Sequence, residues 1–223
     1  MKKSFLTFAL LSTIWASAQI DLRSTRFGVT AGGNYSRVSN AHNPSGPRLT
    51  MQAGFLALIP IDNNDQFYIQ PEVTYYGAGE SGKDKNAKGT PAYDAVYGNS
   101  YISVPLYFKA YFSEAESEFF GMIGPRFNFL VGQTVKNPYR EYYDPDVTNP
   151  DYPDINGKAN SFNFAIGAGI GYSYKRQLEL AVKYDLGLSN TYPKLVEAWT
   201  DDPSASSKKS EQVFSLSLSY IFQ

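Results

Sequence analysis

Apolar side chains recur at every second position through eight separate stretches of the chain. The alternation is cleanest at residues 214–222, where Phe214, Leu216, Leu218, Tyr220 and Phe222 interleave with Ser215, Ser217 and Ser219. Residues 178–189 repeat it, with Leu178, Leu180, Val182, Tyr184, Leu186 and Leu188 on one face and Glu179, Lys183 and Asp185 on the other. A period of two is the signature of a strand with unlike faces. The same pattern, noisier, runs through about 26–39, 48–61, 66–77, 102–112, 118–135 and 162–174, so eight strands are predicted. No run of 18 consecutive apolar residues follows residue 19, and no membrane-spanning helix is expected.

The connections alternate in length. Residues 62–65, 113–117 and 175–176 are short turns; 40–47, 78–97, 136–160 and 190–210 are long loops. With both ends of the strand series on one side, every short turn falls on that side and every long loop on the other. Outer-membrane barrels are sorted this way, with short periplasmic turns and longer outside loops. The predicted fold is all-β: an eight-stranded antiparallel up-and-down transmembrane barrel.

Cost decides which face meets lipid. A Lys or Arg on the lipid face near the bilayer midplane costs about 2–4 kcal/mol. The Leu/Val/Tyr face of 178–189 therefore points outward and its Glu/Lys/Asp face inward. The same reasoning turns Glu72, Lys109 and Arg126 inward beside Glu179, Lys183 and Asp185. Three acids and three bases predict a charge-balanced network, because charges removed from water must be paired. Eight strands enclose a space that side chains just fill, so a packed polar lumen is expected.

The N-terminus carries a different signal. Met1-Lys2-Lys3 is basic, Phe5 to Trp15 is apolar, and Ala16-Ser17-Ala18 fits a small-x-small cleavage site. This is the layout of a secretory signal peptide over residues 1–18, leaving a barrel domain at 19–223. Composition narrows the chemistry. With no cysteine and one histidine, His42, thiolate metal sites, disulfides and multi-His sites are excluded. Lys+Arg is 20 against Asp+Glu 21, which gives no footprint for nucleic acid.

Several runs carry a family resemblance. They are Arg26-Phe27-Gly28-Val29-Thr30-Ala31-Gly32-Gly33-Asn34-Tyr35, Tyr101-Ile102-Ser103-Val104-Pro105-Leu106-Tyr107-Phe108-Lys109, Gly167-Ala168-Gly169-Ile170-Gly171-Tyr172 and Lys183-Tyr184-Asp185-Leu186-Gly187-Leu188-Ser189. In order and spacing the chain resembles the PorT-like outer-membrane β-barrel proteins. That resemblance implies a small barrel, integral to a bacterial outer membrane, with some members linked to protein secretion.

Several functions remain open on the residues alone. The leading expectation is a non-enzymatic structural or interaction protein that needs no cofactor. It would contact outer-membrane lipid and, through its outer loops, other envelope or secretion proteins. Tyr139, Tyr142, Tyr143, Tyr152 and Trp199 stand in those loops as candidate contact residues. A lipid-modifying enzyme would use His42 with a serine such as Ser39, although a lone loop histidine is expected to be exposed. A narrow channel would use the lumen charges. A soluble lipocalin-like carrier is disfavoured by the outward Leu/Phe/Tyr bands. Residues 144–156 are rich in oxygen ligands suited to Ca²⁺, yet Asp-Pro and Asn-Pro also simply make turns. Gly167, Gly169 and Gly171 lie at alternate inward positions of a strand, where they make room for bulk opposite rather than cradle a phosphate.

Overall fold

The computed structural model describes residues 24–82, 94–147, 150, 153–196 and 207–222. The signal peptide expected at residues 1–18 lies outside them. Eight strands form: β1 (Arg26–Val38), β2 (Gly46–Pro60), β3 (Phe67–Ser81), β4 (Val96–Tyr111), β5 (Glu118–Lys136), β6 (Phe162–Tyr174), β7 (Leu178–Gly187) and β8 (Glu211–Ile221). Each pairs antiparallel with its neighbours, and β8 returns to β1 with Gly28 opposite Ile221, closing the barrel. Closure satisfies the backbone without leaving a sheet edge, as a bilayer requires.

The two faces separate as the alternation demands. Leu180, Val182 and Tyr184 of β7, and Leu216, Leu218 and Tyr220 of β8, are exposed on the outer wall. Phe27 of β1, Met51 and Phe55 of β2 and Phe119 and Ile123 of β5 extend this apolar belt around the barrel. So continuous a belt would be intolerable in water and is the expected surface toward acyl chains. Inside, Leu56, Leu58, Tyr68, Tyr107, Tyr111, Phe120 and Ile221 fill the end bearing the short turns. The strand glycines serve this packing: a Cβ on Gly171 would meet the Phe120 ring at 2.4 Å, and one on Gly167 would meet the Tyr107 ring at 3.0 Å.

Two boundaries differ from the sequence reading. β3 continues to Ser81 and β4 begins at Val96, shortening the loop expected at 78–97. Glycines at 77 and 79 occupy outward positions and erase the apolar half of the alternation, while the inward half continues through Tyr76, Ala78 and Glu80.

At the turn end, the three-residue β6–β7 connection, 175–177, places Lys175 (φ 52°) and Arg176 (φ 54°) in the left-handed region. Such turns match strand twist but ordinarily take Asn or Gly. The Arg176 guanidinium lies 4.2 Å over the Tyr111 ring. It also donates to the Asp65 and Ser113 carbonyls and pairs with Glu118, tying three turns together.

Candidate functional site

The six predicted lumen charges all point inward and form three pairs. Lys109 Nζ meets Glu179 Oε2 at 2.5 Å, Arg126 Nη1 meets Asp185 Oδ2 at 2.6 Å, and Lys183 Nζ stands 3.5 Å from Glu72 Oε2. β7 supplies one member of each pair, and β3, β4 and β5 supply the others across the lumen. All six residues are at most 3 % exposed. At that depth a pair is tolerated only if its remaining polar atoms are satisfied.

Neutral neighbours supply most of that satisfaction. Tyr111 donates to Glu179 Oε1 at 2.6 Å, and Gln70 Nε2 donates to Glu72 Oε1 at 2.7 Å. Arg126 donates through Nε to Ser103 Oγ at 2.7 Å, and its guanidinium lies 3.8 Å over the Tyr76 ring. Ser103 in turn donates to Asn128 Oδ1 at 2.6 Å. Lys109 Nζ lies 4.1 Å over the Phe120 ring. A cavity within this layer, lined by Tyr76, Asn128, Asn163, Asp185 and Glu211 among others, measures about 10 Å³. That is the size of a single water.

Above this layer, at the end bearing the long loops, a second cluster forms that the sequence reading did not assemble. Its centre is His42, expected to be exposed but only 5 % exposed. Its Nδ1 lies 2.9 Å from Glu80 Oε2. Its ring stacks on Tyr97 at 3.6 Å and meets Tyr143 and Tyr192 edge-on at 4.9 and 5.1 Å. Glu80 Oε1 accepts the Val38 N–H at 3.0 Å and the Ser45 hydroxyl at 3.4 Å. Ala41, Ala95, Ala159 and Leu195 pack into the same cluster, so all four long connections converge on it. Asn99 Nδ2 donates to the Tyr192 hydroxyl at 3.0 Å. Burial raises the Tyr192 phenol above its ordinary range and holds it neutral.

The proposed contact tyrosines divide. Tyr139 is 54 % exposed, and Tyr142 is half-buried. Arg140 lies 5.9 Å from each of their rings. Tyr143 is 1 % exposed, which corrects its reading as a surface contact. The 3-10 turn Glu141–Tyr143 aims it down onto His42. Tyr152 and Trp199 lie outside the described residues.

The other candidate chemistry stays apart. Ser39 Oγ accepts from Gln212 Nε2 at 3.2 Å, while His42 faces Glu80, so Ser39 and His42 do not form a nucleophile–base pair. Among the described residues no hydrogen-bond partner reaches His42 Nε2. In the 144–156 loop, Asp144 Oδ1 accepts the Asp146 N–H at 3.0 Å, an ordinary turn, and exposed Asp154 lies 3.7 Å from Lys194. Among the described residues no three His, Cys, Asp or Glu side chains are grouped to hold a metal.

Glu80 falls within the loop expected at 78–97, beyond two glycines. Gln52, which accepts from Arg126 Nη2 at 3.4 Å, and Ser103 and Asn128 complete the Arg126 site and carry no sequence signal beyond alternation.

Among curated proteins no match to the sequence was found. The solved structure of OprG from Pseudomonas aeruginosa is similar at 12 % identity and TM-score 0.47, covering 90 % of this chain and 97 % of that one. The outer membrane enzyme PagL is similar at 12 % identity and TM-score 0.47, covering 86 % and 98 %. Ail, the attachment invasion locus protein of Yersinia pestis, is similar at 10 % identity and TM-score 0.43, covering 88 % and 98 %. The model of the outer membrane protein beta-barrel domain matches residues 16–192. With the eight-stranded closed barrel and its apolar belt, that match places the protein in the outer membrane: the chain belongs to the outer membrane protein beta-barrel domain family.

Proposed function

We propose that this protein is a non-enzymatic, non-conducting outer-membrane barrel whose long-loop end is a platform for another envelope protein. The observation that carries the reading is the convergence of all four long connections on the buried His42–Glu80 pair. Docked loops present a defined surface, and ordering entropy already lost in the free protein is not lost again on binding. Tyr139, Arg140 and Tyr142 sit on that surface, and aromatic and arginine side chains are the ones enriched in contact patches. Against conduction stand three ion pairs and the aromatic layers that occupy the lumen. Against hydrolysis stands a histidine that faces a carboxylate and, among the described residues, no serine or threonine nucleophile.

The finer family assignment rests on the runs Tyr101–Lys109 and Lys183–Ser189. On that basis the protein falls in the PorT-like branch and its partner belongs to a secretion or surface-assembly system. Export would remove residues 1–18, so N-terminal sequencing of the membrane form should begin at Gln19.

The decisive experiment replaces residues 136–160 with a short turn and repeats co-purification in mild detergent. Loss of a specific envelope protein, with insertion unchanged, is the expected result. An identical set of co-purifying proteins overturns the platform. Stepwise conductance in planar bilayers, altered by Arg126 substitution, overturns the closed lumen, and changed lipid A mass spectra in a His42→Ala strain overturn the non-enzymatic reading.

A further inference from the structure

β2 and β3 separate over a short stretch of the wall. Their ladder is in register at Gln52–Tyr76 and again at Pro47–Glu80, with a shift between. Residues 48–51 of β2 therefore stand opposite only 77–79 of β3, as in a β-bulge. Side chains take the β3 carbonyls left there. Asn34 Nδ2 and Thr50 Oγ1 donate to the Gly77 carbonyl at 3.0 and 2.5 Å. Arg48 Nη1 donates to the Ala78 carbonyl at 2.6 Å, and Ser36 Oγ donates to the Gly79 carbonyl at 2.9 Å. Hydrocarbon demands this of any unpaired backbone group, so the seam is a built feature of the wall.

The outer surface over the seam is concave. An open groove of about 810 Å³ is lined by the small residues Ala31, Gly33 and Ala53 and by Met51 and Tyr75, with Arg48 at its loop end. A Cβ on Gly33 would find nothing nearer than the Thr50 carbonyl at 4.0 Å, so the groove is open above it. From Arg48 to Ala53 the groove follows β2 for about 16 Å, at ~3.3 Å per residue.

Arg48 is unlike the arginines of the lumen and the turn end. Arg126 and Arg176 each meet a carboxylate. Arg48 is half-buried, and its guanidinium covers Gly98, whose Cβ would meet Nη1 at 2.6 Å. Among the described residues no carboxylate pairs with it, and only Nη1 has a protein acceptor. It stands two residues inside the loop end of β2, at the edge of the apolar outer wall. A guanidinium with no carboxylate in direct contact keeps free N–H donors for an anion, and it matches phosphate with paired N–H groups.

We propose that this groove is a lipid site: one acyl chain of an anionic phosphate-bearing lipid of the outer leaflet lies along Gly33, Met51 and Ala53, with its phosphate on Arg48. A second copy of the chain fits less well. A two-fold contact through this patch would bring two Arg48 cations to one interface.

The test is native mass spectrometry from detergent micelles with phosphatidylglycerol, phosphatidylcholine and inorganic phosphate as probes. The wild type should retain one phosphatidylglycerol about fivefold more strongly than phosphatidylcholine, the effect of one interfacial cation. Arg48→Gln should lose that preference. Gly33→Phe fills the groove with Arg48 untouched and should lower retention of both lipids. Folding of each variant is checked by heat-modifiable electrophoretic mobility; should Arg48→Gln fail to fold, Gly33→Phe decides alone. Equal retention in wild type and Gly33→Phe overturns the proposal. So does displacement of the lipid by inorganic phosphate, or a dimer that Gly33→Phe dissociates without any lipid preference.

Discussion

The middle of the lumen and its loop-end mouth both hold buried carboxylates, and they neutralise them differently. In the middle, Glu179, Glu72 and Asp185 each face a Lys or Arg from a strand across the barrel. At the mouth, no Lys or Arg pairs with Glu80 among the described residues; it accepts from the Val38 and His42 backbone, the Ser45 hydroxyl and the His42 ring. The first arrangement is strand against strand, fixed by the ladder register. The second ties loop to strand and exists only while residues 39–45 stay docked. The contrast assigns rigidity to the barrel and conditional order to the mouth, where a partner would bind.

The largest expected effect breaks the middle. Arg126→Met removes the cation from a fully desolvated pair and leaves Asp185 buried with its charge. Such one-sided removal costs about 3–5 kcal/mol. Arg126→Met combined with Asp185→Leu replaces both partners by apolar groups and should recover most of the loss. Urea unfolding in bilayers measures both. A single variant within about 1 kcal/mol of wild type would mean that the pair is not desolvated as its burial implies.

A smaller effect sharpens the other side of the comparison. Glu80→Ala strands the donors of Val38, His42 and Ser45, at about 1–3 kcal/mol for leaving buried donors unmade. The damage should be local. Amide exchange should accelerate in 39–45 and 188–196 while β6 and β7 keep their protection. Uniform acceleration throughout the barrel would show that mouth and middle are one cooperative unit and dissolve the distinction.

The two regions were also unequally legible in the sequence. The inward position of all six lumen charges follows from parity, because a period of two leaves each side chain only two faces. Their pairing partners do not follow, since which inward residues meet across eight strands depends on stagger around the barrel. The mouth was hidden for another reason. His42, Glu80, Tyr97, Tyr143 and Tyr192 come from different connections and strand ends, and no period links them. Gly77 and Gly79 masked the continuation of β3, so Glu80 read as loop. The lipid-facing groove was invisible because the mismatch lies between β2 and β3 and leaves the alternation of β2 unbroken, so nothing in the pattern shows that Arg48, opposite Ser36, turns over Gly98.

The smallest effect lies at the opposite end and serves as a control for both regions. Lys175 and Arg176 adopt positive φ in a turn that favours Asn first. Arg176 has contacts that compensate, on Tyr111, Glu118 and the neighbouring turns. The Lys175 N–H donates to Ser117 Oγ at 2.9 Å, a bond any residue there can keep, and its side chain has little beyond a 5.5 Å approach to the Tyr174 ring. Lys175→Asn therefore relieves backbone strain without loss of a clamp, and should stabilise the barrel by up to about 1 kcal/mol. The mouth should not respond: exchange in 39–45 should stay at the wild-type rate, because the turn and the mouth sit at opposite ends of strands whose ladders are already complete. Slower exchange at the mouth in Lys175→Asn would mean that strain at the turn end is transmitted along β6 and β7, and the loops could then no longer be treated as a separately ordered unit.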